Sequence, residues 1–99
     1  MNRQTYLEKL KAKLDEWNAD LDILEAKARQ LEARHRDEYR QQIEELKKQR
    51  QELQQKIDTI KISYEEAWED LRDGADQAWE RLKDGIERAR SRFRQKEGK

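Results

Sequence analysis

Residues 67–85 read AWEDLRDGADQAWERLKDG and contain one eight-residue pattern twice. The first copy is AWEDLRDG at 67–74 and the second is AWERLKDG at 78–85, an offset of 11 residues. Eleven residues make almost three turns of an α-helix, so equivalent positions return to the same face. The repeat therefore predicts an amphipathic helix that presents one surface twice, and it does not resemble an assembled catalytic pocket.

The same 11-residue frame extends upstream of the repeat and predicts a hendecad segment over residues 43–95. Most of its seam positions are apolar; Gln49, Arg90 and Glu97 are the exceptions. We expect this seam to pack against another helix. Its apolar members are Leu46, Leu53, Ile57, Ile60, Tyr64, Trp68, Leu71, Trp79, Leu82, Ile86 and Phe93.

Residues 3–35 follow a different period, the heptad of a coiled coil. Apolar residues alternate at three and four positions for four heptads, which is long enough to predict a coiled-coil seam. The seam fails at His35 and Glu38, where the chain becomes polar. Its predicted contact residues are Leu7, Leu10, Leu14, Trp17, Leu21, Leu24 and Leu31.

The two periods together predict an all-α protein with a single coiled-coil region over residues 1–99. We expect one long amphipathic helix, either kinked or folded into a helical hairpin near residues 34–42. A continuous helix of this length would extend on the order of 140 Å at 1.5 Å per residue. Ser63 and Glu66 have the spacing of a capping box and could begin a third helix. The apolar phase that runs unbroken from Ile57 to Trp68 favours a continuous helix instead.

Composition excludes several classes of function. Equal numbers of basic and acidic residues, 23 each, argue against a nucleic-acid partner. The chain has no cysteine and only one histidine, His35, so no ordinary zinc site is expected. No phosphate-binding or nucleophile motif is present, so we expect no enzyme activity and no cofactor. No apolar run could cross a bilayer and residues 1–10 resemble no signal peptide, so a cytoplasmic location is expected.

The segment 64–94 supports a second interpretation. Its apolar stripe has basic residues on both flanks and acidic residues opposite, as in helices that lie on anionic membranes. The predicted anionic-surface contacts are Arg88, Arg90, Arg92 and Arg94. Basic flanks also suit ordinary ion pairs between helices, and the charge balance favours a partner helix over lipid.

Two glycines lie 11 residues apart at one edge of the stripe. Gly74 and Gly85 each cost about 1 kcal/mol relative to alanine in a helix interior. We expect them to mark the places where another helix comes closest, with Trp68 and Trp79 packed on that helix.

Several segments resemble a family of small bacterial coiled-coil proteins linked with stress responses. The resemblance lies in YLEKL at 6–10, LDEW at 14–17, YRQQIEEL at 39–46 and the tandem AWExL(R/K)DG. It implies a helical, non-enzymatic protein with a role in stress physiology, and no functional residues can be transferred. The 11-residue amphipathic repeats are also similar in kind to those of exchangeable apolipoproteins.

The sequence therefore predicts a structural or protein-interaction role. The expected partners are further copies of the chain, from dimer to tetramer, or a partner helix. Reversible binding to anionic membrane surfaces through residues 64–94 is the alternative.

Overall fold

The chain folds into three α-helices that pack side by side. The structure is a computed structural model that describes residues 2–97, with side chains described for residues 2–93. The helices are α1 (Arg3–Arg29), α2 (Ala33–Ile62) and α3 (Trp68–Glu97), and the described residues contain no strand. Each helix contacts both others, and the bundle measures 52 × 19 × 17 Å. The all-α prediction is confirmed, but a single long helix is not what the chain forms.

One continuous apolar core runs between the helices and is built from the periodic residues of each. Its fully buried members include Leu21 of α1, Leu53 and Ile60 of α2, and Leu82 of α3. No polar or charged residue among the described ones is fully buried. A chain in which 46% of residues are charged therefore places most of its large apolar residues inside.

Three aromatic pairs join α3 to the other two helices. The ring centroids of Tyr6 and Trp68 are 5.8 Å apart, and those of Trp17 and Trp79 are 4.9 Å apart. These two pairs hold α1 and α3 in parallel, in the same order along the bundle. Tyr39 of α2 stacks on Phe93 at 4.2 Å. Such pairs add about 0.5–1.5 kcal/mol each beyond the area they bury.

The first turn lies at residues 30–32, before the corner predicted near residues 34–42. That prediction is wrong, because Ala33 already begins α2 and the polar residues His35 and Glu38 are helical. Helix α1 ends after Ala28, its last buried seam residue, with Lys27 and Arg29 in a last turn where cations suit the helix dipole. No glycine or proline makes the corner. Leu31, within the turn, is still partly buried against the core.

The second turn, at residues 63–67, divides the predicted hendecad segment 43–95 between two helices. The Ser63 hydroxyl donates to the Ile60 carbonyl at 2.7 Å and so terminates α2, rather than capping a new helix. The backbone amides of Ala67 and Trp68 both donate to the Tyr64 carbonyl, and α3 follows. The continuous helix that the apolar phase from Ile57 to Trp68 favoured is therefore not formed. Two antiparallel helices can keep the same phase when the turn between them has a suitable length.

The two repeat glycines have different surroundings, so only one of them marks a close approach. A Cβ atom on Gly85 would lie 2.5 Å from Leu46 Cδ2 and 3.3 Å from Gln49 Oε1 of α2. A Cβ atom on Gly74 would meet only the end of the Lys56 side chain, at 3.6 Å. A close approach is therefore found at Gly85 and is absent at Gly74. The neighbour at Gly85 is α2, whereas Trp68 and Trp79 pack on α1, so the expectation of one shared helix is wrong.

This difference predicts opposite results for two equivalent substitutions. Gly74→Ala is expected to raise the free energy of unfolding by about 1 kcal/mol, since it gains helix propensity without a clash. Gly85→Ala gains the same propensity but must displace the buried Leu46, and overpacking of this kind costs about 1–3 kcal/mol. Its net effect is expected to be zero or destabilising. Urea unfolding of both variants measures the difference, and equal gains would show that α2 and α3 are not in close contact at Gly85.

Candidate interaction surfaces

Most residues of the predicted interaction seam lie in the core of this single chain. Thirteen of the 18 are buried and three more, Leu7, Leu31 and Trp79, are partly buried against the core. The two remaining residues, Tyr64 and Leu71, are exposed. The buried ones are Leu10, Leu14, Trp17, Leu21, Leu24, Leu46, Leu53, Ile57, Ile60, Trp68, Leu82, Ile86 and Phe93.

Apart from four buried alanines, the predicted seam omitted three buried residues: Tyr6, Tyr39 and Ile43. The signal for the last two was present in α2. Tyr39, Ile43 and Leu46 begin an alternation of three and four residues that continues through Leu53, Ile57 and Ile60. The position between Leu46 and Leu53 is Arg50, so a heptad with one charged residue describes α2 without a hendecad.

The exposed large apolar residues are concentrated at one end of the bundle. Of the four among the described residues, three lie on or beside the turn between α2 and α3. Ile62 is 85% exposed, Tyr64 is 83% exposed and Leu71 is 37% exposed. Tyr64 lies in the turn itself, and Leu71 lies in the first turn of α3. We call Ile62, Tyr64 and Leu71 the turn patch. The fourth residue, Ile23, lies near the other end of α1.

Carboxylates are frequent in the sequence after Tyr64 and continue along the side of α3 opposite its apolar stripe. We call them the acidic face. Within the part of the chain whose side chains are described, none of its carboxylates forms an ion pair. Several are spaced at i, i+4, where like charges repel. The acidic face consists of Glu66, Glu69, Asp70, Asp73, Glu80, Asp84 and Glu87.

Three of the four arginines predicted to contact an anionic surface bind other residues of the same chain. Arg90 forms an ion pair with Asp20 of α1 at 2.6 Å, and Arg92 forms one with Glu38 of α2 at 3.5 Å. Arg88 donates to the carbonyl oxygen of Asp84 in its own helix. The Arg94 side chain lies outside the described residues. The basic end of α3 is therefore used in part to hold the bundle together.

Arg3 ties the start of α1 to the second turn. Its guanidinium donates to the carbonyl oxygens of Ser63 and Ile60 and to a Glu65 carboxylate oxygen at 3.0 Å. The two carbonyls lie at the end of α2, where backbone acceptors have no partner within the helix. The turn that carries Tyr64 is thus fixed to two helices.

A second polar contact near this end joins Tyr6 to Asp76. The phenol donates to Asp76 Oδ1 at 2.5 Å. Burial, followed by this hydrogen bond and the negative charge of Asp76, raises the pKa of Tyr6 well above its ordinary range. Burial also raises the pKa of Tyr39. On the other side of the bundle, a hydrogen bond from Lys47 at 3.0 Å lowers the pKa of Glu25.

The raised pKa predicts an alkaline loss of stability. The folded state keeps Tyr6 protonated at a pH where the unfolded chain, with a tyrosine pKa of about 10, releases the proton. The contribution of Tyr6 is therefore complete below pH 10 and is lost as pH rises further. Tyr6→Phe is expected to cost about 1 kcal/mol at neutral pH through the lost hydrogen bond. Urea unfolding between pH 7 and 11 should show the two proteins converging above about pH 10. Parallel curves would contradict this role.

The grooves between helices are open rather than enclosed. One, of about 350 Å³ between α1 and α2, exposes Leu7 and Ile57 between the charges of Arg3, Lys61 and others. A second, between α2 and α3, lies over Gly85. The described residues contain no group of three or more metal-ligating side chains, and none of their helices is long and apolar enough to cross a membrane.

Comparison with known proteins gives no relative from which a role could be transferred. The chain matches no protein-family model, no curated protein and no solved structure.

Proposed function

We propose that this chain is a non-enzymatic protein-interaction module that presents a stable helical surface to a partner. One observation carries the proposal. The chain buries most of its seam within itself, yet three of the four exposed large apolar residues that the structure describes are concentrated at the turn patch. An exposed apolar cluster surrounded by charge is typical of a site for contact with another protein.

The open grooves also favour contact over catalysis. An enzyme site needs an enclosed cavity in which burial shifts the pKa of the reacting groups. Tyr6, Glu25 and Tyr39, whose pKa values are shifted, lie in separate places along the helices and do not converge on one cavity.

Self-association remains a prediction, and so does a multichain coiled coil. The seam expected to support them is occupied within the chain, so copies would have to meet through the remaining surface. A role in stress physiology, implied by the resemblance, remains an expectation of the same kind.

Photo-cross-linking in the source cells tests the module proposal. A photoreactive residue is placed at one exposed position on each side of the bundle: Ala19, Gln51, Tyr64 or Gln77. The proposal predicts a discrete adduct with another protein from at least one position. Absence of adducts at all four positions would contradict it. Adducts only between copies of the chain would restore self-association.

Anionic membranes are a second candidate because of one feature of α3. Its apolar stripe, including Trp68, Leu82 and Phe93, has basic flanks but is buried against α1 and α2. Lipid binding through residues 64–94 would therefore require α3 to leave the bundle. Phosphatidylglycerol vesicles should then shift the tryptophan emission at low salt. An unchanged spectrum together with no co-sedimentation would exclude this candidate.

A further inference from the structure

The turn patch is held in place, which makes it suitable for recognition. Arg3 binds the carbonyl of Ser63 on one side of Tyr64 and the carboxylate of Glu65 on the other. Tyr64 itself accepts two backbone hydrogen bonds that begin the path into α3. Its ring is nevertheless 83% exposed. A bulky aromatic side chain on a fixed backbone loses little conformational entropy when a partner covers it.

The charges around the turn patch are strongly of one sign. Residues 61–73, which include the whole turn patch, contain five acidic side chains and two basic side chains, Lys61 and Arg72. Arg3 neutralises Glu65 at 3.0 Å, and the Arg72 guanidinium lies 5.8 Å from the centre of the Trp68 ring. Glu66, Glu69 and Asp70 form no ion pair with any side chain that the structure describes. The apolar surface is therefore bordered by uncompensated negative charge.

The turn patch could be covered by a second copy of the chain, by an anionic lipid surface or by a partner protein. The negative charge around it disfavours the first two. Two copies that met through the turn patch would bring the same carboxylates together, which is repulsive. The basic end of α3 in a second copy is a poor complement, because Arg90 and Arg92 already pair with Asp20 and Glu38. An anionic lipid surface would be repelled by the same charges.

We propose that the turn patch binds a cationic amphipathic helix of a partner protein. Ile62 and Tyr64, its two most exposed members, contact the apolar side of that helix, and Glu66, Glu69 and Asp70 pair with its lysine or arginine side chains. The proposal rests on the module function above and adds the chemistry of the partner. With two exposed apolar residues at its centre, the contact is smaller than the roughly 800 Å² per partner of a stable interface, so binding is weak and sensitive to salt.

A fluorescent peptide of about 18 leucine and lysine residues, spaced to give an apolar helix face, is the probe for the test. Anisotropy measures its affinity for the full chain. The double variant Ile62→Ser/Tyr64→Ser is expected to bind about tenfold more weakly or worse, since exposed aromatic anchors dominate such contacts. Both residues are more than 80% exposed, so the fold should be retained, as circular dichroism checks.

Matched controls separate specific binding from general stickiness. Ile23→Ser removes an exposed apolar residue far from the turn patch and should leave the affinity unchanged. Glu66→Gln/Glu69→Gln should weaken binding and reduce its dependence on salt, whereas Glu44→Gln/Glu45→Gln on α2 should have little effect. A scrambled peptide of the same composition, which lacks the apolar face, should bind more weakly than the probe.

The proposal is overturned if Ile23→Ser weakens binding as much as the double variant, or if the scrambled peptide binds equally well. It is also overturned if the double variant lowers the solution mass of the protein, which would assign the turn patch to a second copy. Loss of phosphatidylglycerol vesicle binding in the double variant would assign the patch to lipid. Cross-links from Ala19, Gln51 or Gln77 but none from Tyr64 would keep the module function and reject this site.

Discussion

Trp17→Ala is expected to produce one of the two largest losses of stability in this protein, about 3–5 kcal/mol. The Trp17 side chain is only 3% exposed and stacks on Trp79 at 4.9 Å near the middle of the bundle. Its removal leaves a cavity between α1 and α3 that the neighbouring side chains cannot fill. A domain of this size has about 5–15 kcal/mol of stability, so the variant should be close to unfolding at room temperature.

Urea unfolding followed by circular dichroism measures this loss without relying on tryptophan emission. Trp17→Phe is the matched control, because it keeps an aromatic contact with Trp79 and should lose less. If Trp17→Ala were as stable as the parent chain, the packing of α1 on α3 would be incorrect.

Leu82→Ala is expected to produce the other large loss, lowering the free energy of unfolding by about 2–5 kcal/mol. Leu82 is fully buried in the core. The tandem repeat supplies its control, since Leu71 occupies the equivalent position 11 residues earlier. Leu71 is 37% exposed at the end of the bundle, so Leu71→Ala should cost about 1 kcal/mol, in line with the smaller apolar area it buries.

The comparison of these two variants tests where the bundle ends. In a long helix that packed along its whole seam, the two leucines would be equally buried and the two losses similar. A ratio near one between the losses would therefore contradict the turn at residues 63–67.

The residues of the core could be predicted from the sequence more fully than the path of the chain. Apolar periodicity identifies Leu10, Leu21, Leu53 and Leu82 as buried, because burial follows from which helix face they share. The same periodicity does not state whether the covering helix belongs to the same chain. Both turns lack glycine and proline, so the local signals that usually mark a reversal are absent.

The candidate site illustrates the same limit. Tyr64 is in phase with the hendecad seam, and a seam position predicts burial. It is exposed because α2 ends at Ile62 and no helix covers the residues beyond it. The exposure of Tyr64 depends on where the neighbouring helix stops, which is a property of the tertiary fold.

The charges of α3 are evident in the sequence, but the partners of these charges are not. Acidic residues lie opposite the apolar stripe, and basic residues are frequent near its end. Their pairing is not local: Arg90 reaches Asp20, and Arg92 reaches Glu38, across long sequence separations. Only the three-helix arrangement shows that the acidic face retains its net charge.

The central claim is that one chain folds back on itself twice and buries its own seam. Small-angle X-ray scattering across a dilution series tests it most directly, because mass and shape come from the same curves. We expect a mass of 12.1 kDa, a radius of gyration close to 15.7 Å and a length near 52 Å, all independent of concentration. A rod on the order of 140 Å long, the length of a continuous helix at 1.5 Å per residue, or a mass that falls on dilution would contradict the claim.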